Sequence, residues 1–348
     1  MSGALWVAMS GLPVQTLSQA IPPACRRTVD APAGVQIAGE QAVVESPAWP
    51  VAGATSFVPS FAVQSTLPFS GRLELSVCVD GAWSAWVAGV GLGPAAFEPL
   101  PPAESLEVDV DVFRSPAPVE AARLRLRLQA LEAPALLAVP WILALSASVP
   151  ATTDTTRVTS AAGKPAVRLA VPPRSQMEAA AAIAPRICSP TCVAMVLDFW
   201  RRPAPLDALA AEIFHPGTDL YGVWPAAVMA AGRHGLAGYL LQFPDWAAAQ
   251  WCLARGLPII ASVRYRAGEL TGAAAMETPG HLIVLTGWDG DDVLVNDPAA
   301  PTAATVSRRY RRDELVHVWL ERNAIGYVLF PVNGQERMTE ERPGSAGA

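Results

Sequence analysis

Ile187-Cys188-Ser189-Pro190-Thr191-Cys192-Val193-Ala194-Met195-Val196-Leu197 decides how the C-terminal half is read, because it sets a cysteine where a helix begins. Ser189 is a helix-capping residue type, Pro190 suits a first turn, and Val193, Val196, Leu197 and Trp200 recur on one face at helical spacing. A thiol there feels the positive end of the helix dipole, which lowers its pKa and favours the nucleophilic thiolate. Downstream come Gly280-His281 and Asn296-Asp297-Pro298. A histidine opening one strand and an acid ending the next supply the base, and the group that orients it, for an activated cysteine.

The turn between those strands makes the pairing testable. Residues 282–288 and 293–296 flank Asp289-Gly290-Asp291-Asp292, a hairpin signal, and antiparallel pairing about it brings His281 beside the strand end that carries Asp297. Acyl transfer also needs donors for its oxyanion, and Gln176, in Val171-Pro172-Pro173-Arg174-Ser175-Gln176, offers an amide to act with the backbone N–H of Cys188. Helical patterns follow over 206–214, 224–234 and 245–255, the last stopped at Gly256, and strands over 257–263 and 326–331. Helices first and strands afterwards indicate an α+β domain.

Residues 171 to about 332 resemble the papain-fold peptidases of the bacteriocin-processing, double-glycine family, in its stand-alone bacterial branch. The resemblance rests on the upstream glutamine, Cys-Ser-Pro-Thr followed by Ala-Met-Val-Leu and an aromatic pair, Tyr221-Gly222 with Trp224, Gly-His-Leu-Ile-Val, and Asn-Asp-Pro-Ala. It implies a papain-like fold with Cys188 as nucleophile, His281 as base, Asp297 as its orienter and Gln176 in the oxyanion hole. It further implies hydrolysis of a peptide or protein through an acyl-enzyme, with no cofactor. The chain departs from the family pattern at Ser189, where a glycine is common, and at Cys192, a second thiol one turn on that is expected in the packed face. Tyr221, Trp224 and Tyr265 are candidate substrate-binding walls. Two other functions stay open: an acyltransferase that resolves the same acyl-enzyme with an amine, and a binding protein whose site is degenerate.

Composition narrows the rest. With 348 residues the expectation is two domains with separate cores. A net charge of −6 argues against nucleic-acid partners, and the 51% apolar content includes no run that would span a membrane. Five cysteines, an odd number, do not make a disulfide framework. No charge precedes Arg26 to form a signal-peptide n-region, so the cytoplasm is the default expectation, with secretion if translation starts elsewhere. No metal site is expected: Asp289, Asp291 and Asp292 miss the EF-hand spacing, and Cys188, Cys192 and His281 lack a fourth zinc ligand. Ala162-Gly163-Lys164-Pro165 lacks the features of a nucleotide-binding loop.

Upstream, residues 72–79, 106–112 and 122–128 alternate with period two, separated by turn signals such as Asp80-Gly81, which predicts an antiparallel β-sandwich. The expected organisation is an N-terminal segment 1–33, an accessory sandwich 34–149, a linker 150–170, the papain-like domain 171–333 and a frayed tail 334–348. Ser46-Pro47-Ala48-Trp49 and Trp83-Ser84-Ala85-Trp86 resemble accessory β domains that precede such peptidases, with a glycan or protein as the conceivable ligand. His215, His234 and His317 lack patterned partners and are expected to be structural or surface residues.

Overall fold

The computed structural model describes residues 3–101, 103–149 and 165–332. Most of the expected linker and all of the expected tail lie outside the described residues. The first half runs β1 (Ala4–Ser10), α1 (Val14–Ala20), β2 (Arg26–Ala31), β3 (Gly34–Ala38), β4 (Gln41–Glu45), β5 (Trp49–Val63), β6 (Ser70–Val79) and β7 (Ala82–Trp83). It continues through β8 (Val87–Leu92), β9 (Glu107–Asp109), β10 (Val112–Gln129), α2 (Ala133–Ala138) and β11 (Trp141–Ser148). The second half runs β12 (Val167–Arg168), α3 (Cys188–Phe199), α4 (Leu206–Ile213), α5 (Trp224–Arg233), β13 (Leu236–Gln242) and α6 (Trp246–Ala254). It ends with β14 (Ile259–Tyr265), β15 (Thr278–Asp289), β16 (Asp292–Asn296), β17 (Ser307–Arg311), α7 (Arg312–Trp319) and β18 (Ile325–Pro331). The chain is α+β, and no helix among the described residues is long and apolar enough to cross a membrane.

Period two does its expected work in β10: Leu124, Leu126 and Leu128 are buried, while Arg123, Arg125 and Arg127 point the other way. Those arginines are held. Arg125, Arg127 and Arg72 converge on the fully buried Glu74, and Arg123 and Arg125 lie 4.1 Å over the rings of Trp83 and Trp86. All pairings of this sheet are antiparallel except β1 with β2. β5 pairs with β10 along its first part and with β11 along its second, so one hydrogen-bonded network joins eleven strands.

The alternation over 106–112 breaks in the middle. β9 ends at Asp109, Val110 adopts a left-handed φ of 57°, and the chain turns back into β10. A β-branched residue in that region is strained by about 1–2 kcal/mol. The turn is tied down by the Asp111 carboxylate, which accepts the backbone N–H of Trp224 at 2.7 Å.

Separate cores are not what the chain builds. One cluster of buried apolar side chains runs through both halves. Helix α5 lies on β5, and β13 packs on β5 and β11. Ser60 and Ser146 accept the backbone N–H groups of Leu240 and Gln242 at 3.1 and 2.9 Å. The alanine-rich α5 permits this close approach, most tightly at Gly232, where a Cβ would stand 2.8 Å from the Val63 carbonyl oxygen. Alanine normally improves a helix by about 1 kcal/mol over glycine. Here Gly232→Ala is expected instead to cost roughly 1–3 kcal/mol by overpacking, read from denaturant unfolding.

The second sheet has the order β13-β18-β14-β15-β16-β17, with β12 added at the far end of β15. Its β15–β16 hairpin turns at Gly290-Asp291 as the sequence requires, with Asp289 opposite Asp292. A bulge lies between Leu285 and Gly287, where a Cβ on Gly287 would stand 1.9 Å from the Val167 carbonyl oxygen. Helix α3 packs against β15.

Candidate active site

Cys188 is the first residue of α3, half-buried, and Ile187 occupies the N-cap position without a side-chain cap. Ser189 therefore does not cap the helix. It sits inside the first turn, fully buried, with its hydroxyl 3.5 Å from the Tyr327 hydroxyl of β18. The helix starts two residues earlier than expected, which places Cys188 in the first turn.

His281 and Asp297 meet as the hairpin demands: His281 Nε2 lies 2.8 Å from Asp297 Oδ1. Both side chains are buried, at 6% and 0% exposure. Asp297 also accepts the Tyr310 O–H at 2.6 Å on Oδ2 and the Ala299 N–H at 3.0 Å on Oδ1. His281 makes its other hydrogen bond with Cys188. With Nε2 committed to Asp297, Nδ1 is the ring nitrogen left for the sulfur.

The electrostatics follow from these contacts. Burial alone would raise the Cys188 pKa, but the hydrogen bond and charge of His281, with the N–H groups of Leu282 and Ser189, hold it below its ordinary 9.0. Burial would lower His281, yet its bonds to Asp297 and Cys188 and their charges raise it to about 10. Asp297 is likewise kept below 3.8 against burial, by His281, Tyr310 and the Ala299 N–H. Each shift favours the charged form of its group: thiolate at Cys188, imidazolium at His281 and carboxylate at Asp297.

Cys192 behaves differently. Its sulfur is fully buried, donates to the Leu282 carbonyl at 3.2 Å, and is pushed well above 9.0 by burial first and then by the charges of Cys188 and Asp297. The peptide unit at Leu282 thus separates two thiols of opposite character, one receiving its N–H and one bound to its carbonyl.

Gln176 is buried in a 3₁₀ turn, Gln176–Glu178. Its Nε2 donates to the Ala184 carbonyl at 2.8 Å, in the turn that leads into Cys188, and Oε1 has no partner among the described residues. The segment is stitched to the Asp297 loop by Gln176 N–H to Pro298 O at 2.9 Å and by Ser175 to Ala300 O. Arg174 grips Asp198 of α3 through two bonds of 2.5 and 2.8 Å. Glutamine, helix start and acid loop are therefore one framework.

The three aromatic candidates are placed unequally. Tyr221 packs on Phe214 at 4.6 Å and under the Arg186 guanidinium at 5.4 Å. Trp224 opens α5, half-buried and bound through its backbone to Asp111. Tyr265 is only 3% exposed, its O–H on the Ala275 carbonyl at 3.3 Å. Sequence reasoning missed Tyr310, although Ser307-Arg308-Arg309-Tyr310-Arg311 alternates as a strand and pairs Tyr310 with Val293. The other histidines have ordinary partners: His215 with Thr218 and Gly91, His234 with Glu212, and His317 with Glu321.

Residues 168–327 match the model of the Peptidase_C39 like family. That segment is similar to C39-like peptidases and is the C39-like part of the chain. The C39-like domain is similar to three solved structures. A double glycine motif protease from an AMS/PCAT transporter, in complex with the leader peptide, shares 20% identity over 47% of this chain and 94% of its own, at a TM-score of 0.34. A putative C39-like peptidase from Bacillus anthracis shares 16% over 48% and 98%, at 0.38. The peptidase domain of Streptococcus ComA, a bi-functional ABC transporter of a quorum sensing pathway, shares 15% over 42% and 93%, at 0.31. No curated protein matches the chain in sequence.

Proposed function

We propose that the C39-like domain is a cysteine peptidase in which Cys188, His281 and Asp297 act as nucleophile, acid–base and orienter. The observation that carries this reading is the continuous chain of contacts from a partly buried cysteine at the start of a helix through His281 to a fully buried carboxylate. The Cys188 thiolate adds to the peptide carbonyl carbon. The oxyanion is met by the Cys188 N–H and by the Gln176 amide proton not engaged by Ala184. The tetrahedral intermediate collapses as the His281 imidazolium gives its proton to the departing amine, leaving a thioester. Neutral His281 then takes a proton from water, whose oxygen attacks the thioester, and returns it to the Cys188 sulfur as the acid leaves. Asp297 keeps the ring in the tautomer and orientation both steps need. A peptide as substrate class rests on the family match.

Alkylation with iodoacetamide as a function of pH tests the core of this reading. Thiolate is the reacting species, so a depressed Cys188 pKa means a rate whose midpoint lies below pH 9.0. In His281→Ala the proton donor and its charge are gone, and the profile is expected to move up to the ordinary thiol range or beyond. Peptide hydrolysis by the wild-type protein should fall again above about pH 10, where His281 loses the proton destined for the leaving amine. Identical alkylation profiles for the two proteins would remove the basis of the proposal.

A further inference from the structure

The N-terminal half reaches the active-site end of the second sheet. Register places Gln242, Ile325, Arg264 and Thr278 at one end of β13, β18, β14 and β15, the end at which β15 carries His281. Two cavities lie along that end. One, of about 760 Å³, is lined by Asp109, Asp111 and Arg114 from the first half and by Gly222, Trp224 and Gln242 from the second. The other, of about 490 Å³, is lined by Tyr265, Glu277, Thr278 and Pro279, the last two residues from His281. Arg264 and Arg322 border both, so the two cavities adjoin and line one trough-like end of the sheet.

Asp111 is the unusual wall. It is 7% exposed and has no ion-pair partner among the described residues, while its neighbours Asp109 and Arg114 pair with each other and Arg322 pairs with Glu269. Its contact with the Trp224 N–H satisfies one oxygen but brings no full positive charge. The buried Tyr327 phenol, beside Ser189, feels the charges of Asp111 and Cys188 together.

We propose that Asp111 is a specificity-determining residue, a carboxylate lent by the N-terminal half to the trough of the C39-like domain to receive a cationic group of a bound peptide. Cleavage of that peptide rests on the peptidase reading, whereas its binding rests on the trough alone. A desolvated carboxylate with no contact ion pair, Arg114 acting on it only from a distance, discriminates sharply, because a cation completes an ion pair there while a neutral group leaves the acid unpaired. Burial pushes the Asp111 pKa up to about 7, despite the N–H bonds of Trp224 and of Asp111 itself. An arriving cation draws it into the ionised form.

The alternative is that Asp111 only anchors the first N–H of α5. Asp111→Asn separates the two, since the amide oxygen still accepts the Trp224 N–H while the charge is lost. Binding is measured by fluorescence anisotropy on full-length Cys188→Ala, which holds peptides without cleaving them. One peptide set exchanges Lys or Arg for norleucine at each position, and a second compares free with acetylated amino termini, so the side-chain and terminal sources of the cation are told apart. Basic peptides are expected to bind about tenfold tighter than their neutral partners, the size of one charge-assisted hydrogen bond in a desolvated site. In Cys188→Ala/Asp111→Asn that ratio should collapse to about one, with thermal melting checking the fold.

The preference should also weaken as pH falls below about 7. The other charged groups along the trough are Asp109 and Arg114 on the first half, Arg264 on β14, Arg266, Glu269 and Glu277 between β14 and β15, and Glu321 and Arg322 after α7. No preference for basic peptides, a preference that survives in the asparagine variant, or no measurable peptide binding would each overturn the assignment. Asp111-dependent binding by a wild-type protein that cleaves nothing would instead overturn the peptidase reading alone.

Discussion

Cys188→Ala is expected to lower peptide hydrolysis by roughly 10⁴-fold or more, because no other group near His281 can form the thioester. Cys192→Ser is expected to keep most of the activity. The Cys192 sulfur is sealed in the core, bound to the Leu282 carbonyl at 3.2 Å, and its pKa is driven up, so it holds no thiolate at neutral pH. Serine can donate to the same carbonyl but brings a more polar group into an apolar site, for a stability loss of about 1–2 kcal/mol. Turnover of a fluorogenic peptide library by both variants, with mass mapping of the alkylated residue, decides the matter. Activity that survives in Cys188→Ala but disappears in Cys192→Ser would make the buried thiol the nucleophile and overturn the proposed triad.

Asp297→Ala carries the second large effect. It removes the acceptor of three hydrogen bonds at once and strands the buried His281 ring and Tyr310 hydroxyl. A loss of roughly 10²–10³-fold in kcat is expected from the mis-set imidazole, with a destabilisation of about 3–5 kcal/mol from the uncompensated buried groups. The pH profile separates the catalytic part from the structural one. Asp297 is a leading cause of the His281 pKa near 10, so without it that value drops and the alkaline limb of kcat/KM moves towards neutrality. The sign for stability runs the other way for the acid itself. Its pKa lies below 3.8 in the folded protein, so its contribution is present above that value and fades as pH falls through the folded pKa. An unchanged alkaline limb in Asp297→Ala would refute its role as the orienter of His281.

How much of the fold and site is readable from sequence depends on how local each feature is. The hairpin joining His281 to Asp297 is legible because turn chemistry at Gly290-Asp291 and two flanking apolar runs dictate the register. The α3 boundary is legible to within two residues, and the error at Ser189 arises because a capping residue type can equally bury its hydroxyl against a partner, here Tyr327. Tyr310 and Asp111 are not legible. Their partners, Asp297 and the Trp224 N–H, are separated from them by a sheet register and by the packing of the two halves. The turn at Val110 is hidden by a perfect alternation of valines and acids, which a left-handed residue interrupts without any glycine to announce it. β13 escapes for another reason: as a continuously buried run in the shared core it shows no alternation.

That common interior, sealed by α5 lying on β5, constrains how such a chain can change. A freestanding catalytic module can be grafted from host to host, because nothing it needs leaves with its former neighbour. Here the face of β13 and α5 that a graft would lay bare is apolar and has been shaped around Val63, Ser60 and Ser146. The two halves must therefore drift together, each substitution along the seam answered from the opposite side.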